Sequence, residues 1–509
     1  MPSFRTAAAL LGEMDRVGIA EALVYASQAR MSHPADGNAM LLEAIAGERR
    51  LHPCWVMLPP GTGEQPQPDE LVRTMRAHGV RAARMFPEEH SYPVVERSLR
   101  PLLEALGRES IPLILDVGRV SWNEIKLDWR EIFAIAEAHP DLPLILVREG
   151  GSTARVLWSA WGALPNIHLE TSYLQEALVV EEIVGRFGPG RLLFGTAMPQ
   201  YDAGGPLGLL AAARVPDAAR AAIAGDNLRR LLGLAPAETV DPVPRPSWPC
   251  GGNGFRVFDV HTHLGPWQRK YYGGSTSADL VARMDEAGVE CVATSDMLGI
   301  GPDFAAGNRR VGAAARAFPE RIVGYAVYNP NYEAESADGL KRAFDELGCR
   351  AVKLHCMLHE TATASPLYRP AFRFAQERAC PVLCHVHQGP SPEFLDRLLG
   401  DHPDLAFIFA HIGGGERAPL EPFVPVAYAR GNLYFDLAMS AMPRGTLAWL
   451  AARVPPGQIV YGSDHPVMDF PYQLGRVLYA DVPDEVKRIV LWDNAARIFG
   501  REAAPREAR

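Results

Sequence analysis

FRVFDVHTHL, residues 255–264, is a short apolar run that reads as a β-strand and carries two histidines two residues apart. Alternation along a strand puts His261 and His263 on one face, where two neutral imidazoles can hold a single metal ion. An HxH pair alone is a weak sign. It gains weight because further ligand-type residues stand at or near the ends of later apolar runs: Lys353 in AVKLHC, His385 in PVLCHVH, His411 in FIFAHIGGG and Asp464 in IVYGSDHP.

Outward from this strand, short apolar runs alternate with helical patterns. The runs fall near 255–263, 290–295, 322–328, 350–355, 381–387, 405–411, 432–438 and 458–464. Between them lie helix patterns such as SADLVARMDEAG and ADGLKRAFDELG, the latter stopping at Gly348. Eight buried strands, each followed by a helix, fit a (β/α)8 barrel better than an open doubly wound sheet. The ligand-type residues fall toward the C-terminal ends of their strands, the end at which such barrels keep their active sites.

The first half repeats this pattern. LGEMDRVGIAEALVYAS (11–27) parallels VARMDEAGVECVATSD (281–296), and VRAARMFP (80–87) parallels CRAVKLHC (349–356). The register persists through IPLILDVG and CPVLCHVH, LPLILVREGG and LAFIFAHIGG, and RLLFGTAMPQYD and QIVYGSDHPVMD, to GDNLRRLLG and WDNAARIFG. The chain therefore reads as α/β with two tandem (β/α)8 TIM-barrel-like domains, 1–235 and 254–503. A proline-rich linker over 236–253 joins them. The first domain reads as incomplete or degenerate, because Met1 aligns near Tyr271, after the strand that carries HxH.

Composition agrees with two full-sized cores: of 509 residues, 48% are apolar and 22% charged. A formal charge of −9 without a basic block speaks against nucleic acid or an anionic membrane as partner, and leaves a small molecule as the expected substrate. The seven cysteines are scattered and mostly set in apolar segments, which reads as reduced thiols in a cytoplasmic protein. Cys380 and Cys384 read as core residues, and no run reaches transmembrane length.

With these motifs in place, the second domain resembles the amidohydrolase superfamily, and within it the branch that includes nonoxidative decarboxylases and hydratases. The resemblance implies metal ligands His261 and His263 on the first strand, Lys353 on the fourth, His385 and His411 on the fifth and sixth, and Asp464 on the eighth. Lys353 would ligate if carboxylated and His411 if the site is binuclear. As a plain ammonium, Lys353 would attract a substrate carboxylate instead. Imidazoles and a carboxylate form a borderline N/O site suited to Zn, with Mn, Fe or Co as alternatives. Such an ion activates water, and Asp464 would bind the ion or accept the proton, with His411 and Lys353 the other catalytic candidates. His355, His387 and Arg417 are candidate substrate contacts. Asp436 reads as a group that holds a ligand in place, and Asp469 as the start of a loop.

At the corresponding positions the first domain has Arg84, Asp116, Arg148 and Ala197, a set that cannot hold a cation. It reads as a catalytically silent built-in partner forming an intramolecular pseudo-dimer, with assembly of further copies left open. Buried Arg and Asp often neutralise each other, which favours that scaffold role over a second reading, in which these residues bind an anion. The expected activity is metal-dependent hydrolysis of a C–N or C–O bond by metal-activated water in the second domain. The alternatives are metal-dependent nonoxidative decarboxylation of an aromatic or unsaturated acid and, third, a noncatalytic binding protein.

Overall fold

The computed structural model describes residues 4–116, 128–149, 153–236, 254–386, 390–413 and 418–501. All but the first residue of the expected linker, together with Cys250, His387 and Arg417, lie outside them. The chain divides into two compact units. One comprises Met1–Leu174, Val179–Arg245 and Arg269–Tyr271; the other comprises Gln175–Leu178, Pro246–Gln268 and Tyr272–Arg509.

In the first unit, β1 (Ala22–Val24), β2 (Leu51–Val56), β3 (Ala82–Met85), β4 (Leu113–Asp116), β5 (Leu144–Val147), β6 (Ile167–Glu170) and β7 (Leu192–Leu193) form one sheet in sequential order. All its pairings are parallel. Among the described residues no strand precedes β1 to join it to β7. The second unit has the extra strand: β8 (Phe258–Leu264), β9 (Cys291–Asp296), β10 (Ile322–Val327), β11 (Ala351–His355), β12 (Val382–His385), β13 (Phe407–Phe409), β14 (Leu433–Asp436) and β15 (Ile459–Val460). Its ends meet, because Val260 N donates to Tyr461 O at 3.0 Å, Asp464 N to His261 O at 2.7 Å and His263 N to His465 O at 2.7 Å. The result is a parallel α/β barrel, with a seven-stranded counterpart in the first unit.

Local sequence explains the repeat. Thr6 caps the helix Ala7–Val17, which ends at Gly18 in a left-handed conformation. Thr276 forms a capping box with Asp279 at the start of Ser277–Ala287, which ends at Gly288 in the same way. Both units also contain a π-helical turn near their C-terminal end, at Ala222–Asp226 and Ile489–Asp493.

Alternation sorts the strand residues of the second unit. Val352, Leu354, Val382, Cys384, Phe407, Phe409 and Phe435 join the cluster that packs against the helices, whereas Ala351, Leu383, Ile408, Tyr434 and Val460 belong to a separate buried cluster inside the barrel. Lys353, His385 and Asp436 lie two residues beyond Ala351, Leu383 and Tyr434, so each extends the interior face by one layer toward the C-terminal mouth.

Two expected strands are shorter than their apolar runs. β13 stops at Phe409, shortly before His411 and Ile412 turn to left-handed backbone (φ 56° and 48°), and β15 pairs with β14 only as far as Val460, with Asp464 left-handed (φ 65°) beyond it. The first unit keeps this geometry at the equivalent positions, with Arg148 at φ 63° and Ala197 at φ 51°, although the side chains differ. The described cysteines are buried and free, Cys380 and Cys384 included.

Candidate metal centre

His261 lies within, and His263 just beyond, a bulge of β8 between Asp259 and Thr262, and both are almost completely buried. Each has one ring nitrogen fixed from behind. His261 Nδ1 lies 2.7 Å from Asp436 Oδ2, and His263 Nδ1 lies 2.8 Å from Ser295 Oγ. The opposite nitrogens turn toward Asp464: Oδ1 is 2.9 Å from His263 Nε2 and 3.5 Å from His261 Nε2. The ligand atoms of His261, His263 and Asp464 lie within 4.8 Å of one another, as do those of His261, His411 and Asp436. Two imidazole nitrogens and a carboxylate oxygen converging in a buried mouth are a donor set that suits a divalent transition metal. Groups behind them that fix ring orientation are the usual companion of such ligands.

Lys353, with no exposed surface, brings Nζ to 3.0 Å from His261 Nε2. His411 Nδ1 contacts the Ala438 carbonyl, and its Nε2 lies 3.0 Å from His385 Nδ1. His385 stands outside both three-donor groups and is reached through His411. Its ring stacks on His355, centroids 4.1 Å apart and planes 15° from parallel. His355 also accepts from Leu358 N at 3.2 Å through Nδ1, so one of its nitrogens is already engaged with the loop. His261, His263, Lys353, His355, His385, His411 and Asp464 are thus linked by contacts into one cluster.

Electrostatics follow from burial. Desolvation, reinforced by Lys353 and the neighbouring imidazoles, holds His261 well below the usual histidine range. Burial pushes Lys353 down to about 8, against the pull of Asp464 and Asp436. Burial pushes Asp436 up to about 6, opposed by His411 and by backbone donors. On Asp464 burial acts upward too, but the hydrogen bond from His263 and the charges of His263, His411 and Lys353 leave it below the usual carboxylate range.

Three supporting residues escaped the sequence reading. Asp259 Oδ1 accepts from His261 N at 2.8 Å and Ser463 N at 3.1 Å, tying β8 to the turn that carries Asp464. Ser295 positions His263. Gly462 leaves room for the Asp436–His261 pair, because a Cβ there would fall 2.0 Å from Asp436 Oδ1 and 2.9 Å from His261 Cβ. A signal for the glycine was present, since Gly195 holds the same place in the first repeat and there makes room for Glu170. Gly462→Ala is expected to lower metal affinity by about 10- to 100-fold through displacement of Asp436, measured by competition with a chelating dye.

One expectation needs correction. Asp469 does not merely begin a loop: it is fully buried, caps the helix Phe470–Leu478 and pairs with Arg283 through Nη2–Oδ2 and Nε–Oδ1 contacts of 2.5 and 3.1 Å. The helix cap and the buried ion pair account for a carboxylate there.

Among the described residues, the first unit has no group of donors like that of His261, His263 and Asp464. Arg84 and Arg148 both contact the Asp116 carboxylate, and Ala197 occupies the position of Asp464. Ala197→Asp is expected to leave the metal content of the protein unchanged by elemental mass spectrometry, because two guanidiniums remain at that mouth.

Comparison with known proteins agrees with the repeat. The amidohydrolase family model matches the chain twice, at residues 4–234 and 258–501. No curated protein matches the sequence. Similar solved structures include an uncharacterized TIM-barrel protein from Bordetella bronchiseptica, 19% identical, covering 48% of this chain and 99% of that one with a TM-score of 0.40. A 5-carboxyvanillate decarboxylase from Sphingomonas paucimobilis is 16% identical and covers 48% of this chain and 100% of its own, with a TM-score of 0.38. A 4-oxalomesaconate hydratase from Rhodopseudomonas palustris is also 16% identical, covering 48% and 96% with a TM-score of 0.37. Because the family model spans most of the sequence in two consecutive matches, the chain belongs to the amidohydrolase family.

Proposed function

We propose that the second unit is a metal-dependent hydrolase that cleaves a C–N or C–O bond of a small molecule. The observation that carries this reading is the convergence of His261 Nε2, His263 Nε2 and Asp464 Oδ1 at the C-terminal mouth of a barrel belonging to the amidohydrolase family. When bound there, a divalent ion, Zn or alternatively Mn, Fe or Co, supplies Lewis acidity toward a water and a substrate carbonyl. Asp464, kept ionised by its neighbours, accepts the proton of the attacking water and passes it to the leaving group. His261 and His263 are held in place by Asp436 and Ser295, and Lys353 and His411 offer hydrogen-bond donors to charge that develops on the substrate.

A second reading, nonoxidative decarboxylation of an aromatic or unsaturated acid, is favoured by Lys353. A fully buried amine beside His261 suits a substrate carboxylate better than a neutral amide. The test begins with elemental mass spectrometry of the purified chain, for which about one or two metal equivalents are expected. Absence of metal even after reconstitution with Zn, Mn or Fe overturns both readings. Substrate screening in isotopically labelled water then separates them. With oxygen-labelled water, label in the organic product indicates hydrolysis, and release of CO2 together with an organic product free of oxygen label indicates decarboxylation.

A further inference from the structure

Among the described residues, Arg30, Arg84 and Arg148 lie at the mouth of the first unit. Arg84 and Arg148 share the single carboxylate of Asp116, and Arg30 pairs with Glu89, its Nε 2.8 Å from Oε1. A third acid, Glu170, is turned toward Ser172, whose N and Oγ donate to it at 3.0 and 2.6 Å. Burial pushes the Glu170 carboxyl upward, against the Ser172 hydrogen bonds and the charges of Arg84 and Arg148. Among the described residues, the Arg84 and Arg148 guanidiniums thus converge on the one carboxylate of Asp116, while Glu170 is held by Ser172.

The donors are also underused. Arg84 Nε and Arg148 Nε are buried and have no hydrogen-bond partner among the described residues, although Arg148 is only 4% exposed. A buried N–H without an acceptor is costly, and a guanidinium is built to meet a carboxylate through two parallel donors. Flat walls are available. The Arg84 guanidinium lies over the rings of Tyr25 and Phe86 at 4.7 and 5.1 Å, and Arg148 Nη1 donates to Gln200 Oε1 at 3.0 Å. Arg84 occupies the more open edge, with a side chain 17% exposed.

We infer that the mouth of the first unit is a binding site for a small carboxylate, received by Arg84 and Arg148 beside Tyr25. The left-handed backbone at Arg148 supports this assignment. It keeps the side chain at the position that His411 occupies in the second unit, on a conformation that a bulky residue adopts only when the surroundings hold it there. Loss of the metal ligands has thus converted a cation site into an anion site on the same scaffold.

The probe is benzoate, with benzamide as its uncharged counterpart, titrated calorimetrically into the full-length protein and into the Asp464→Ala protein, whose second unit lacks the metal-facing carboxylate. One benzoate per chain is expected to bind the Asp464→Ala protein with a Kd of about 1 mM or tighter, and benzamide is expected not to bind. Arg148→Gln and Arg84→Gln should each weaken benzoate by about tenfold or more, with unchanged circular dichroism and metal content. No benzoate heat up to about 10 mM, equal binding of benzamide, or full affinity in both folded arginine variants overturns the proposal. If one arginine variant does not fold the other decides the matter, and because Lys353 in the second unit also suits a carboxylate, Lys353→Met is expected to leave benzoate affinity unchanged, a loss there overturning the proposal.

Discussion

Asp464→Ala protein is expected to lose metal-dependent turnover by about 100- to 10,000-fold, the range attributed to a positioned proton acceptor, and to retain less metal than the unaltered protein. Both effects come from one atom: Oδ1 is the carboxylate oxygen nearest His263 Nε2 and also faces His261 Nε2. Removing it leaves two imidazoles without their anionic partner at the place where a cation would be held. The fold should survive, because the Asp464 backbone N–H still donates to the His261 carbonyl and closes the barrel. The left-handed backbone at this position is no obstacle to alanine, since Ala197 holds the equivalent place in the first unit at φ 51°. The measurement is metal content and turnover beside far-UV circular dichroism and thermal melting. Undiminished activity with an unchanged melting curve would remove Asp464 from the mechanism and with it the proposed hydrolysis.

Much of this site was legible in the sequence, for a definite reason. Parallel barrel strands are short, buried on both sides and strictly alternating, so a polar residue at the end of an apolar run has few places to point. Lys353, His385 and Asp436 sit where alternation from Ala351, Leu383 and Tyr434 predicts. His411 and Asp464 were found for a different reason. They stand past the ends of their strands on left-handed backbone, where alternation no longer applies, and their places at the ends of apolar runs, with the family resemblance, identified them instead. The groups behind the ligands were harder to read. Asp259 and Ser295 lie on strands without any spacing that marks them, and their role depends on contacts between strands distant in sequence. Asp469 was misread because the partner that explains it, Arg283, is on a helix nearly two hundred residues earlier.

The first unit offers the sharper energetic test. Asp116 is 1% exposed and sits between two guanidiniums, those of Arg84 and Arg148. Deleting one partner from a buried ion cluster leaves charge without compensation, so Asp116→Ala is expected to destabilise the first unit by about 3–5 kcal/mol. The cost should be electrostatic rather than a packing defect, and a second variant separates the two. Replacing Arg84, Asp116 and Arg148 together by apolar residues of similar volume removes the charges along with the carboxylate, and should leave stability unchanged or raise it by about 1–4 kcal/mol. Hydrogen exchange along β3 and β4 reports on this unit without requiring the whole chain to unfold in one step. Acetate offers a third reading of the same physics. It can enter the space vacated in Asp116→Ala and should restore protection as its concentration rises, because a ligand bound only to the folded state stabilises by mass action. A loss below about 1 kcal/mol in Asp116→Ala would mean that water already reaches both guanidiniums, and a triple variant as unstable as the single one would assign the effect to packing.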